Sequence, residues 1–364
     1  MNVRLAILIT AVLFFQCNRI TPEPEGSQES ASYFPPTNSE EWQTLSFDEL
    51  SWDENAKPAL LNFLKDKDTR AFLILKDGKI VIEEYWNMGL LGGNFNQNTN
   101  WYWASAAKSM TSFLIGQAQD EGLIDIENSS SDYLGKGWSS LTEEQEEAIK
   151  VRHHLSMTTG LNDQQEGACT TPDCLTYFAP PGERWAYHNG PYTILDRMIE
   201  DASEESFDSY FERSLKDKIG MDGFWTYQGF NHVYYSTARS MARFGLLVQN
   251  DGKWQDQSLL DDLDFLQNSL NSSQEINPSY GYLWWLNGKS TYMLPGSQET
   301  FSSDLVPNAP SDMVSALGKN SQIINVVPSQ NLIVIRMGGD PDDALVPLNF
   351  IDDMWKLIND VLEP

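Results

Sequence analysis

Ser105 and Lys108 stand three positions apart in WYWASAAKSMTSFLIGQAQDEG, residues 101–122. If this run is helical, positions i and i+3 share a face and the Lys108 ammonium comes within hydrogen-bond reach of the Ser105 hydroxyl. A serine hydroxyl is protonated at neutral pH and needs a base to take its proton as it attacks a carbonyl. A lysine buried near a helix N-terminus, where desolvation and the dipole both disfavour positive charge, supplies that base as a neutral amine. A second cluster, Tyr187-His188-Asn189 in PGERWAYHNGPYTIL, adds two groups. The phenol can carry a proton if nearby cations favour its phenolate, and the amide can orient a substrate amide or the lysine. Each pattern alone is short. A helix-start serine beside a snorkelling surface lysine would give the first, and a loop tyrosine packed among Trp185 and Tyr192 would give the second.

Hydrophobic periodicity indicates which elements must hold these groups. Met110, Phe113, Leu114 and Ala118 recur at helical spacing with no proline or glycine before Gly116, so 101–122 reads as a buried helix. Upstream, Ala59 to Leu64 reads as helix, and AFLILKDGKIVIEEYW as a hairpin, Phe72 to Leu75 and Ile80 to Tyr85 about the turn Lys76-Asp77-Gly78. VRHHLSMTTGL reads as a short helix closing on Gly160, and Ser206 to Ile219 and Ser236 to Asn250 carry further helical patterns. Beyond Tyr280, GYLWWLN, MVSALG, QIINVVP and NLIVIRMG are β-rich runs, followed by a closing amphipathic helix, IDDMWKLINDVLE. Strands at both ends with helices between imply an α/β fold of the α+β kind. One antiparallel sheet would come from about 45–104 and 275–364, flanked by helices, with an inserted all-helical lobe at about 105–274.

The 364 residues, 41% hydrophobic and 12% aromatic, suffice for a real core in one large domain or two smaller ones. With 24 basic against 52 acidic residues, the formal net charge of -28 repels nucleic-acid phosphates and anionic membrane surfaces, so no nucleic-acid partner is expected. Residues 1–17 read as a signal peptide: Arg4 precedes an apolar run, Leu5 to Phe15, too short to span a bilayer but right for a signal core. Cys17 follows directly, as in bacterial lipoprotein signals whose cysteine is lipidated, although Gln16 stands where a small residue is usual. The expectation is an exported protein, either a periplasmic or outer-membrane lipoprotein attached to the membrane through Cys17, or a secreted one. Residues 18–44, rich in Pro, Glu, Ser and Thr, read as a disordered tether before a folded domain at 45–364. Cys169 and Cys174 in CTTPDC would close a small disulfide loop in an oxidising compartment or stand as free thiols, and their spacing gives a zinc site little support.

The order and company of the motifs say more. S-x-x-K, then Y-x-N, then the glycine-bearing run Ala316-Leu317-Gly318 resemble the serine hydrolases of the class C β-lactamase and penicillin-binding protein family. The flanking stretches WASAAKSMTSFLIG, VRHHLSMTTGL, PGERWAYHN, STARSMARFGLL, YGYLWW and QIINVVPSQNLIVIRMG are similar to that family too, from about Leu73 to Trp355. The resemblance implies a β-lactamase/transpeptidase-like fold working without metal or cofactor. Ser105 would be the acylated nucleophile and Lys108 its first base. Tyr187 would relay the proton between serine, leaving group and incoming water, and Asn189 would position substrate and Lys108. No glutamate motif of the other β-lactamase class is evident, so Lys108 and Tyr187 share the base's role. The oxyanion hole would use two backbone N–H groups, of Ser105 and of Lys319, with Gly318 letting substrate approach the backbone.

One departure bears on substrate. The family's third motif usually begins with Lys or His, which in β-lactamases helps hold the substrate's carboxylate, and here Ala316 takes that place. This leans toward a small ester, amide or peptide substrate, as in the esterase-like and amide-hydrolase-like branch, with Lys319 a partial substitute for the cation. The alternatives are a β-lactamase or a D,D-peptidase on cell-wall peptide, or an acylated sensor with little turnover. Among the histidines, His153 and His154 fall about 100° apart around a helix and do not suit one metal. His188 could touch substrate, and His232 has no partner in its local sequence. A Ser-His-Asp triad lacks its G-x-S-x-G elbow. Trp103, Trp185, Tyr282, Trp284 and Trp285 lie near motif positions, most of them expected as packing.

Overall fold

The run TRAFLILK is aliphatic on both of its alternating faces, so as a strand it must be covered on both sides. It is the second strand of a six-stranded sheet in a computed structural model that describes residues 32–164, 169–342, 344 and 346–363. Residues 1–17, expected as a signal peptide, and Cys17 among them lie outside the described residues. In chain order the strands are β1 (Thr69–Lys76), β2 (Lys79–Tyr85), β3 (Trp101–Tyr102), β4 (Phe224–Gln228), β5 (Asn231–Ser236), β6 (Lys253–Trp254), β7 (Gln257–Ser258), β8 (Trp285–Leu286), β9 (Val314–Gly318), β10 (Gln322–Val327) and β11 (Leu332–Gly338). The main sheet runs β2-β1-β11-β10-β9-β8, with every pair antiparallel. It therefore joins the first and last thirds of the chain, as the sequence implies.

Successive residues of β10 show how the layers form, because neighbours on a strand point to opposite faces. Asn325 accepts the Trp355 indole N–H at 3.0 Å from the closing helix, Leu348–Leu362. Lys57–Asp66 packs beside that helix, with Phe63 stacked on Phe350 at 5.5 Å. On the other face, Ile324 and Ile333 press on Gly245 of the helix Ala238–Gln249, where an added Cβ would lie 2.9 Å from Ile333 and 3.1 Å from Ile324. Gly245→Val should therefore overpack this layer and destabilise the fold by ~1–3 kcal/mol in urea unfolding. An unchanged midpoint would mean that the helix can lift from the sheet without loss.

The helix Ala107–Asp120 is buried on every side from Ala107 to Ala118, as a central helix must be when its polar residues find internal partners. Ser109 donates to the Leu283 carbonyl at 2.7 Å, and Gln117 to the carbonyls of Ser214 and Leu259 at 3.0 and 2.8 Å.

Several expectations need correction. The helix does not start at Trp101: Trp101 and Tyr102 pair with Ser236 and Tyr235 as β3 against β5, and Ala104–Ala106 is a 3-10 turn. The inserted segment is not all helical. It holds β4 and β5, which pair with β3 from outside it in a three-stranded sheet, and the ribbon β6-β7, since NHVYYS is rich in β-formers, and Ala238–Gln249 lies on the main sheet rather than in a separate lobe. Val151–Leu155 stops short of Gly160, and only Trp285–Leu286 of GYLWWLN is strand.

The expected tether also reaches too far, because residues 32–44 belong to the folded unit. Tyr33 N–H donates to Asp77 at 3.0 Å, Trp42 donates its indole N–H to Gly78 at 2.8 Å, Thr44 bridges Ile80, and Phe34 packs edge-on against Trp254. Aromatic anchors inside a Pro- and Ser-rich stretch overrode its overall composition.

Candidate active site

The turn that carries Ser105 is clasped between two strands. Trp103 N–H donates to the Tyr234 carbonyl of β5 at 2.8 Å, and the Trp103 indole donates to Ser236 at 2.7 Å. From the main sheet, the end of β9 comes so close that a Cβ on Gly318 would lie 2.2 Å from the Trp103 carbonyl oxygen and 3.0 Å from Ala106 N. Ala104, just before the serine, has φ +47, a conformation that costs a non-glycine residue energy and persists only where its surroundings enforce it.

Lys108 begins the helix one turn later, its Nζ 3.2 Å from Ser105 Oγ, so the spacing delivers the expected contact. Lys108 is 5% exposed, and its Nζ lies 4.0 Å from the Tyr192 ring centroid and 5.4 Å from that of Tyr187. Burial pulls its pKa down to about 7, against the opposing charge of Asp196. The amine is thus available as a base near neutrality.

Tyr187 lines the same cavity as Ser105, its ring centroid 5.4 Å from Lys108 Nζ. Its ring stacks on Trp285 at 6.1 Å and meets Tyr280 edge-on at 6.2 Å. Burial pushes the phenol well above its ordinary value, so Tyr187 is held as a protonated phenol rather than a phenolate. Asn189 opens the short helix Asn189–Thr193, and its buried Oδ1 has no hydrogen-bond partner among the described residues. Two devices position this helix from behind. His154 Nδ1 bonds the Pro191 carbonyl at 2.8 Å, and the Cys169 carbonyl lies where a Cβ on Gly190 would be, at 2.6 Å. Cys169 and Cys174 are disulfide-bonded, which closes the loop that backs this position.

These groups line one cavity of 410 Å³ with Leu317, Gly318 and Lys319. Ala316 is buried, pairs with Ile324 and does not line it. Gly318 is small because the backbone of the turn that carries Ser105 occupies the space, a tighter constraint than substrate approach. His188 is buried and is not a lining residue, contrary to expectation; its imidazole is pushed down to about 4 by burial. His153 Nδ1 accepts the Lys150 N–H at 3.0 Å, so both adjacent histidines serve local structure. Of the aromatics, Trp285 lines the cavity while Trp103, Trp185, Trp284 and Tyr282 are packing.

One residue pair escaped the sequence reading. His232 of β5 lines the cavity, and its Nδ1 is 2.9 Å from Asp196 Oδ2 on the helix Leu195–Ser203. The two are 36 positions apart and no local pattern links them, so only the fold reveals the contact.

Residues 68–338 match the sequence model of the family described as Beta-lactamase. The chain belongs to the beta-lactamase family. Members of this family are generally serine hydrolases, and the fold and the family expected from the motifs are both established. An uncharacterized protein of Alkalihalophilus pseudofirmus is 23% identical over 331 residues, 80% of this chain and 90% of that one. The solved structure named "Putative 6-aminohexanoate-dimer hydrolase from Bacillus anthracis" superposes with TM-score 0.68 at 17% identity, covering 91% of this chain and 89% of its own. A penicillin binding protein from Bacillus halodurans does so with TM-score 0.61 at 16% identity, over 82% and 99%. The likeness to these structures is one of fold, and within the beta-lactamase fold the Ser105 turn, Lys108 and Tyr187 meet where the sheet borders the inserted helices.

Proposed function

We propose that this beta-lactamase-family protein is an exported serine hydrolase that cleaves ester or amide bonds of a small substrate through an acyl-enzyme on Ser105. The observation that carries the reading is the meeting of Ser105 Oγ and Lys108 Nζ at 3.2 Å beside the Tyr187 phenol, with the amine poised near pH 7. Neutral Lys108 takes the serine proton as Oγ forms its bond to the carbonyl carbon. The charge developing on the carbonyl oxygen falls to the backbone N–H groups of Ser105 and Lys319. Tyr187, kept protonated, gives its proton to the leaving group as that bond breaks and is reprotonated from Lys108. Water then attacks the ester, the same groups run in reverse, and the acid leaves.

Ala316 in place of a cation supports esters and amides over β-lactams, and the name of the Bacillus anthracis structure, "Putative 6-aminohexanoate-dimer hydrolase", points the same way. The disulfide Cys169–Cys174 supports an oxidising compartment, hence export, with the lipidated Cys17 anchor as part of the proposal. Treatment with a fluorophosphonate should leave an adduct on the Ser105 peptide by mass spectrometry, absent in Ser105→Ala. Turnover of p-nitrophenyl esters should exceed that of nitrocefin and of a D-Ala-D-Ala peptide. Labelling with no turnover of any substrate would instead indicate the sensor, and rapid nitrocefin hydrolysis would contradict the reading of Ala316.

A further inference from the structure

We propose that His232, fixed by Asp196, is a hydrogen-bond acceptor in the cavity wall that selects an uncharged substrate carrying an N–H or O–H donor on the acyl side of the scissile bond. The inference rests on the acyl-enzyme reading above and names the substrate class of that same cavity.

The ring's partners decide which nitrogen carries the proton. Asp196 Oδ2 lies 2.9 Å from His232 Nδ1, and an ionised carboxylate only accepts, so a neutral imidazole keeps its one proton on Nδ1 and a lone pair on Nε2. His232 is 7% exposed and lines the cavity, and among the described residues Nδ1 alone of its two nitrogens has a hydrogen-bond partner. The ring is also held in place: Tyr227 stacks on it at 4.2 Å and 7°, and Trp225 and Phe207 pack at 4.8 and 5.3 Å. Strand register brings this acceptor near the nucleophile. Trp101 pairs with Ser236 and Tyr102 with Tyr235, and Trp103 N–H donates to the Tyr234 carbonyl. Counted on, that register sets Ser105 level with His232 as the chain leaves β3 for its 3-10 turn.

A sheltered acceptor discriminates through what it loses. A substrate that covers Nε2 with a methylene takes water from the lone pair and returns nothing, whereas an N–H or O–H replaces the bond. Sites built this way reject the analogue lacking the donor more strongly than an apolar pocket rejects a change of size. The donor is uncharged because no Asp or Glu lines the cavity, so an ammonium would meet Lys319 and find no counter-charge. Asp196 is 2% exposed behind the ring and is not a lining residue. Gln228 and Asn231 are rival acceptors on the same hairpin, but the first is exposed and the second half-buried, and solvated flexible amides discriminate less than a buried ring. The acyl side follows from the layout. Tyr187, which serves the leaving group, is stacked on Trp285 of β8 beside β9, while β5 flanks the serine turn from the other sheet.

Two pairs of uncharged p-nitrophenyl esters of matched length test this. In the first, N-acetyl-β-alanine is compared with 5-oxohexanoate, where a methylene replaces the N–H; in the second, 3-hydroxypropionate is compared with butyrate. After division by the hydroxide-catalysed rates, the wild-type protein should prefer the N-acetyl-β-alanine ester in kcat/KM by about tenfold or more, the loss expected when a sheltered acceptor is left unpaired. A like preference in the second pair assigns donors in general, and its absence there assigns the amide. His232→Phe, which keeps a stacked ring without the acceptor, should bring the first ratio to within about twofold of one. Asp196→Asn/His232→Phe, which leaves no buried carboxylate unpaired, should do the same where the single variant folds poorly. His232→Gln, whose amide oxygen reaches the place of Nε2, should restore part of the ratio. A wild-type ratio at or below one, or a ratio kept in the phenylalanine variants, overturns the proposal. Calorimetry on Ser105→Ala, which cannot be acylated, separates the two readings. The binding preference for methyl N-acetyl-β-alaninate over methyl 5-oxohexanoate should persist there and vanish in Ser105→Ala/His232→Phe. Preference without Ser105 labelling sinks the acyl-enzyme alone, and labelling without preference sinks the His232 assignment alone.

Discussion

Replacing Lys108 with methionine is expected to slow acylation by ~10³-fold and yet to stabilise the fold. The first effect is the loss of the base, for which general-base removal ordinarily costs 10²–10⁴-fold. Tyr187 cannot stand in, because burial holds it as a phenol. In the wild-type protein the same assignment fixes the pH dependence: kcat/KM should rise with pH through about 7 as the ammonium gives up its proton. The second effect follows from linkage. The unfolded chain keeps this lysine protonated up to its ordinary value of 10.5, whereas the folded protein releases the proton near 7. Between those pH values the unfolded state holds more protons, so stability rises with pH, and below about 7 the whole penalty of burying the charge is present. Methionine fills the same space without that penalty. It should gain on the order of 2 kcal/mol at pH 6, after loss of the contact over the Tyr192 ring, and the gain should shrink by pH 10. Stopped-flow acylation and urea unfolding at the two pH values check both halves. A variant that acylates at the wild-type rate would place the base elsewhere.

What the sequence makes legible is what short-range pattern encodes. The i, i+3 spacing of Ser105 and Lys108 survives even though their helix starts later than its apolar periodicity suggests, because a 3-10 turn followed by a helix keeps positions three apart on one side. The hairpin β1-β2 and the late strands are equally plain, since aliphatic runs between glycine and asparagine turns have few other ways to fold. The misses concern information that is not local. Whether Tyr187 is a phenol or a phenolate depends on Trp285 and Tyr280 closing over it, nearly a hundred positions downstream. Residues 32–44 looked unfolded because composition averages away Phe34 and Trp42. The Asp196–His232 pair joins a helix to a strand through a contact that no spacing rule reaches.

Gly318→Ala tests how closely the two halves of the site must meet. The added methyl would lie 2.2 Å from the Trp103 carbonyl oxygen, 3.0 Å from Ala106 N and 3.2 Å from Ala104 Cβ, and the first two are backbone atoms that no rotamer change can move aside. The end of β9 and the serine turn would have to part by ~1 Å, a displacement that can cost about 10² in rate when it falls between reacting groups. The loss should appear in kcat, because the parted elements carry the two N–H groups, of Ser105 and Lys319, proposed as the oxyanion hole, and donors of that kind act on the transition state more than on the bound substrate. Fluorophosphonate labelling should slow in parallel, since the phosphonyl oxygen uses the same donors. The overpacking itself should destabilise by ~1–3 kcal/mol, leaving a folded protein with unchanged far-ultraviolet circular dichroism. Full activity in Gly318→Ala would mean that β9 lies beside the nucleophile without donating to its oxyanion, and the second donor would then have to come from another lining segment.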